Sequence, residues 1–195
     1  MIPHPLTLTG DLVVMEPLSL AHVDGLTKVG LAPDIWHWTP NHIESREDIA
    51  TYVRAAMRGR EEGHMYPFAT VIKATGQVVG SSRYGNIVPD HKRLEIGWTW
   101  IGAEWQRTFV NSEAKLLMLG HAFDVLDCNR VELKTDALNL KSRRAMLGIG
   151  CTEEGILRQH VLNPSGRLRD TVYYSILRDE WPATREILMR RLARN

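Results

Sequence analysis

Between Arg93 and Lys115 the chain reads RLEIGWTWIGAEWQRTFVNSEAK, and few folds accommodate such a run. Glu95, Gly97 and Thr99 alternate with Ile96, Trp98 and Trp100, the period-two pattern of a strand whose faces differ. Gly102 and Ala103 interrupt it, Glu104 to Val110 read as a loop, and Asn111 or Ser112 is placed to cap a following helix. A strand feeding a helix N-terminus gathers unpaired N–H groups and partial positive charge at one point. Anionic groups bind at such points. Any α/β protein offers one, so the ligand must be argued from other residues.

The remaining chain fits around this unit as one domain, residues 1–195, long enough to bury a core without covalent staples. A net charge of +1 argues against a nucleic-acid partner held by bulk electrostatics. Cys128 and Cys151 have neither CxxC spacing nor a partner cluster, so reduced, buried thiols are expected rather than zinc or disulfides. The start, MIPHPLTLTGD, lacks the basic-then-apolar plan of a signal peptide, and no apolar run reaches membrane-spanning length. A cytoplasmic setting with no membrane partner is the expectation.

Residues 1–10 read as an irregular arm and Leu12 to Met15 as a strand. Ser19 opens a short helix carrying Leu20, Val23 and Leu26 on one face. Pro33 to Pro40, PDIWHWTP, is an aromatic loop. Ser45 with Asp48 forms a capping box, and Ile49, Tyr52, Val53, Ala56 and Met57 keep helical spacing behind it. Strands follow at Pro67 to Lys73 and Gln77 to Tyr84, with a turn at Thr75-Gly76. The helix after the central strand runs to about Leu126, with Leu116, Leu119, Phe123 and Leu126 inward, and Arg130 to Asp136 forms the next strand. Strand, helix, strand in that order predicts parallel neighbours. Asn139 to Gly150 is a short helix, and Thr152 to His160 with Asp170 to Leu177 form an antiparallel hairpin around Asn163-Pro164-Ser165-Gly166. A basic helix closes the chain, Glu186, Arg190 and Arg191 outward and Ile187, Leu188 and Leu192 inward. The sum is an α/β chain with a mixed sheet.

Walker-type GxxxxGK[ST], Rossmann GxGxxG, HExxH and GxSxG patterns are all missing, and the eight histidines are scattered, so no metal is expected. One resemblance remains. The run from Glu95 to His160, EIGWTWIGAEWQRTFVNSEAK through GCTEEGILRQH, resembles the acyl-CoA-binding core of the GNAT N-acyltransferase superfamily. It is most similar in flavour to the branch containing ribosomal-protein N-terminal alanine and serine acetyltransferases. The tail GRLRDTVYYSILRDEW resembles that branch's final hairpin. The resemblance implies a mostly antiparallel sheet with a parallel β-α-β core, and acetyl-CoA or a related acyl-CoA as co-substrate.

It also implies a site. Pantetheine would lie along the strand backbone at Trp98, Thr99, Trp100 and Ile101. The pyrophosphate loop, [QR]-x-x-G-x-[GA] in the family, falls on Gln106, Arg107, Thr108, Phe109, Val110 and Asn111, with Ser112 behind it. Phe109 and Asn111 stand where small residues are usual, so either the backbone angles there are ordinary or the phosphates sit farther out. Arg107 offers two donors in compensation, and Glu113 should point away from the loop. The family's N-x-x-[AS] falls on Asn139 and Ser142, with Lys141 and Arg144 beside the outer phosphates. The family's thiolate-protonating Tyr is Met146 here, which leaves Ser142 as the group near sulfur or simply as a first-turn helix residue.

Attack of an amine on a thioester needs a neutral amine, and a base helps to provide one. Glu95 is the candidate, either as that base or as an edge carboxylate paired with Arg93 or Lys134. Tyr173 and Tyr174 alternate, so one faces inward. Trp36, Trp38 and Tyr174 are the candidate acceptor contacts, with His37 between the two tryptophans, and packing is the alternative role for each. The acceptor would be a small-molecule amine or a protein N-terminus. A homodimer, and a CoA-binding module without turnover, both stay open.

Overall fold

The computed structural model describes residues 2–163 and 166–194. Eight strands form one sheet in the order β1-β2-β3-β4-β5-β6-β8-β7. The strands are β1 Leu8–Thr9, β2 Val13–Pro17, β3 Tyr66–Ile72, β4 Val78–Val88, β5 Arg93–Ile101, β6 Arg130–Asp136, β7 Thr152–Leu162 and β8 Leu168–Leu177. Among the described residues only β5 and β6 pair in parallel, as the strand–helix–strand order predicts.

The helices are α1 Val23–Gly30, α2 Pro33–Trp36, α3 Arg46–Glu61, α4 Phe109–Gly120, α5 Leu140–Gly148 and α6 Trp181–Leu192. Ser45 and Asp48 cap α3 reciprocally: Ser45 Oγ accepts from Asp48 N at 3.2 Å, and Asp48 Oδ2 accepts from Ser45 N at 2.9 Å. Ile49, Tyr52, Val53 and Ala56 then face a core with Val23 and Leu26 of α1. A second core on the opposite face joins Val110, Ala114, Met118 and Leu119 of α4 and Trp181 and Leu188 of α6 to strand residues from β1 to β8. The α1–α3 core contains no residue of β6, β7 or β8, so that sheet face carries polar side chains instead.

Several expectations need correcting. The aromatic loop contains the helical turn α2. Helix α4 begins earlier than read: Thr108, not Asn111 or Ser112, is its cap, with Thr108 Oγ1 accepting from Val110 N. Past Gly120 it continues as a wide π turn over His121–Val125. Arg191 turns inward and donates to Gly148 O at 2.5 Å. In the hairpin turn, Pro164 and Ser165 lie outside the described residues.

The largest departure is in β5. Opposite β4, Arg83 pairs with Gly97 but Ser81 with Trp100, so β5 advances three residues where β4 advances two. This is a β-bulge, with Trp98 at φ +51°, a region that a bulky residue seldom occupies. Ile96 therefore enters the α4 core while Trp100 enters the α1–α3 core, and the simple alternation fails after Gly97. On its other side β5 pairs with β6 only through Arg93↔Arg130, Leu94↔Val131 and Glu95↔Glu132. Beyond Glu95 the two parallel strands separate, and the bulged half of β5 turns an unladdered edge toward β6.

Candidate active site

The split between β5 and β6 widens toward their carboxyl ends, where α4 and α5 begin. Open α/β sheets bind ligands at such crevices. Gln106 ties the two helix starts together. Its Nε2 donates to Ile101 O at 2.9 Å, and its Oε1 accepts from Lys141 Nζ. Arg107 next to it has φ +65° and an exposed side chain, so the strained backbone angle falls here and not at Phe109. Phe109 sits in the first helical turn at ordinary angles, its ring 6.3 Å from Trp105.

Val110 and Ser112 are buried, so any contact with a phosphate from Val110 runs through its backbone. Asn111 is half-buried in the first turn of α4. Glu113 does point away: its carboxylate accepts from Asp11 N at 2.8 Å and Leu12 N at 2.9 Å, across the β1–β2 turn. Across the split, Asn139 caps α5 by accepting from Ser142 N at 3.1 Å. Ser142 is half-buried behind that cap, and Arg144 is exposed one residue farther than Arg143. Met146 packs into the core.

On the face without helices, Glu95 is 2% exposed and held at one oxygen. Lys134 Nζ lies 2.9 Å and Asn86 Nδ2 2.6 Å from Oε2. Pairing with Lys134 is the alternative the sequence left open, and it coexists with a free-standing second oxygen position over Gly97. A methyl group at Gly97 would come within 2.6 Å of Glu95 Oε1, so glycine there makes room for the carboxylate.

Around this spot stand Trp98, with Lys134 Nζ and the Arg83 guanidinium each 5.8 Å from its ring, and Tyr173, 5.8 Å from Lys134. Tyr173, not Tyr174, thus faces the split. Tyr174 is fully buried, its hydroxyl donating to Glu153 at 2.9 Å and accepting from Arg143 at 3.1 Å. Trp36 is likewise a packing residue, donating to Gly30 O at 2.6 Å with its ring 5.0 Å from Trp100. Trp38 does reach the rim, 5.9 Å from the Arg167 guanidinium on the hairpin.

Sequence reading passed over one group on the helical face. Lys115 of α4 is 6% exposed and donates to Thr99 Oγ1 at 3.0 Å; Thr99 in turn bonds Ser82 Oγ at 2.6 Å. Burial lowers the Lys115 pKa to about 8, with the nearby Cys151 thiol opposing the shift. Cys151 is itself pushed up to about 12 by burial. The signal was available: Lys115 stands three and four residues before Met118 and Leu119, both buried.

The arrangement is a bulged strand edge, two helix N-termini at one end and a buried carboxylate at the other. Residues 13–152 match the family model described as an acetyltransferase (GNAT) domain. The chain belongs to the GNAT acetyltransferase family. It is 32% identical over 127 residues to YdaF of Bacillus subtilis strain 168, provisionally named a ribosomal N-acetyltransferase, covering 65% of this chain and 64% of YdaF. It is 30% identical over 120 residues to the uncharacterised N-acetyltransferase p20 of Bacillus licheniformis, covering 62% of this chain and 66% of p20. The match therefore spans just under two-thirds of either relative's own length. A crystal structure of a provisionally assigned acetyltransferase from T. thermophilus superposes with a TM-score of 0.88 at 31% identity, over 98% of this GNAT chain and 100% of that one. Among the described residues no group of His, Cys, Asp and Glu side chains converges as a metal site, and no helix is long and apolar enough to cross a membrane.

Proposed function

We propose that the protein is an acyl-CoA-dependent N-acyltransferase, most simply an N-acetyltransferase, acting on a primary amine by direct attack in a ternary complex. The observation that carries this reading is the β5–β6 split, with Glu95 Oε1 over Gly97 on one side and the paired starts of α4 and α5 at its mouth. The edge of Trp98 to Ile101 that faces β6 without ladder partners suits an extended amide-bearing arm. The N-termini of α4 and α5 with Arg107, Lys141 and Arg144 suit its phosphates. The bound co-substrate supplies a thioester carbon open to attack.

The protein's own groups do the rest. Glu95, anchored at Oε2 by Lys134 and Asn86, takes a proton from the incoming amine at Oε1. Backbone N–H groups at the bulge stabilise the developing oxyanion. Lys115, reaching the split through Thr99, is the proton source on the sulfur side, where Met146 replaces the family's tyrosine; the hydroxyl of Ser142, of which Asn139 holds only the backbone N–H, is the second candidate there. A thiolate with an ordinary pKa near 8.5 is already a fair leaving group, so an acid of this strength suffices. The likeness to YdaF, provisionally named a ribosomal N-acetyltransferase, supports a ribosomal component among the acceptors, with a protein N-terminus as the amine we propose there.

Mixing the purified protein with acetyl-CoA and a panel of amines, while following free thiol, tests the proposal. Amine-dependent thiol release is expected. Tight CoA binding with no acylation of any acceptor would instead favour a binding module, and neither binding nor release would overturn both.

A further inference from the structure

One buried cation remains unexplained by this chemistry. Arg83 of β4 is 4% exposed and lies directly across from Gly97. Its guanidinium sits 4.3 Å over the Tyr52 ring, and Nη1 donates to Met65 Sδ at 3.3 Å. Nε and Nη2 are enclosed and have no hydrogen-bond partner, and no ion pair to Arg83 is present among the described residues, so a ligand reaches that edge only as the side chains covering it shift. Those two nitrogens share one edge of the guanidinium, the edge that makes two parallel N–H bonds to a carboxylate.

Arg169 of β8 repeats the pattern at 8% exposure. Its Nε is unpartnered, 4.0 Å from Asp136 Oδ2, while Arg167 holds that same carboxylate oxygen. Around the split on this polar face, Arg83, Lys134, Arg167 and Arg169 stand against Glu95 and Asp136, an excess of two positive charges, while Glu132 farther along is held by Arg93 and Arg130. A buried, unpaired guanidinium is costly. A plain alkylamine would add a further cation to this face and pair with neither arginine.

We infer that the acceptor is an amine bearing a carboxylate, with the amine over Gly97 beside Glu95 and the carboxylate on the Nε–Nη2 edge of Arg83, Arg169 supporting it from the hairpin side. This rests on the acyltransferase reading and narrows its substrate class. The positive surroundings also favour the neutral, nucleophilic form of the bound amine.

The test uses matched acceptors with acetyl-CoA. An amino acid is set against its amide, and a short peptide amide with Glu at its second position against the Gln version. The carboxylate member of at least one pair should show a kcat/KM about ten- to hundred-fold higher, the worth of a charge-assisted bidentate contact. Which pair responds tells a free amino acid from a protein N-terminus. Arg83→Gln should collapse that ratio toward one, chiefly through KM, and Arg83→Lys should restore part of it; Arg169→Gln should narrow it less. Retained CoA affinity by calorimetry establishes that each variant is folded. Should no acceptor turn over, calorimetric titration of the same pairs into the CoA complex gives the same comparison as affinities. Equal constants within every pair, or a preference that survives Arg83→Gln, would overturn the inference while leaving the acyltransferase reading intact. Absence of CoA binding would overturn the parent reading instead.

Discussion

Gly97 is the position where one added carbon should do the most damage. Its missing side chain is the space in which Glu95 Oε1 sits, 2.6 Å from where a Cβ would be. Gly97→Ala should push the carboxylate aside and lower kcat about hundred-fold, the usual worth of a positioned base, with CoA affinity nearly unchanged. An unchanged kcat would show that the carboxylate's place is immaterial.

Lys115 gives a second prediction, and its sign follows from proton counting. The folded pKa of about 8 lies below the ordinary value of 10.5, so between those pH values the unfolded chain binds more protons than the native one. Native stability attributable to this group therefore rises as pH climbs from 8 to 10.5, and is lost again on descent. Denaturant midpoints of the protein minus those of Lys115→Met should increase over that window, since other titrations cancel in the difference. A flat difference would mean that the amine is solvated. In turnover, loss of the ammonium should depress kcat above about pH 8, and Lys115→Met should abolish that limb.

At this scale the sequence was half-legible. Glu95 stood out as a carboxylate inside an apolar strand. Lys134 was read as one of two possible partners for it, and the structure selects Lys134. Arg83 and Arg169 did not stand out, because a cation in a strand looks solvent-facing until the sheet shows which face lacks helices.

At the scale of elements, most of the fold was readable wherever local chemistry and packing agree. The Ser45–Asp48 box, the helical spacing behind it and the span Arg130–Asp136 all reappear in the structure. The β5 bulge is only half announced: Gly97 marks a weak point in the strand, but the positive φ falls on Trp98, a residue type that avoids it, and one extra residue moves Trp98 and Trp100 to the opposite face from Ile96. The start of α4 was misplaced by three or four residues for a related reason: Thr108 competes with Asn111 and Ser112, and only the chain path decides.

Arg107 joins the two levels, because its φ of +65° combines backbone strain with a side chain at the anion-binding helix start. Arg107→Gly should relieve the strain, leaving stability equal or higher by about 0.5 kcal/mol, yet weaken CoA binding about ten-fold by removing the guanidinium. Calorimetry and thermal melts separate the two effects. Unchanged affinity would place the phosphates elsewhere.

For the whole molecule, the arrangement depends on asymmetry between the two sheet faces. Helices α4 and α6 pack across one face from β1 to β8, whereas α1 and α3 cover only the front half of the other. The uncovered half carries Lys134, Asp136, Arg169 and Tyr173, and the β5–β6 split opens onto it. Trp38 meets Arg167 across this side, joining the aromatic loop to the hairpin as a wall. At the far edge, β7 is exposed along its length, but Gly155 and Gln159, at φ +151° and +50°, break its register where an edge strand would otherwise invite pairing.

The account stands on Glu95 acting as a base in this split. The direct measurement is kcat for amine-dependent thiol release in Glu95→Gln, alongside its CoA dissociation constant. The prediction is a fall in kcat of about hundred-fold or more with CoA affinity within about two-fold of the parent. Turnover at the parental rate with CoA bound would contradict it.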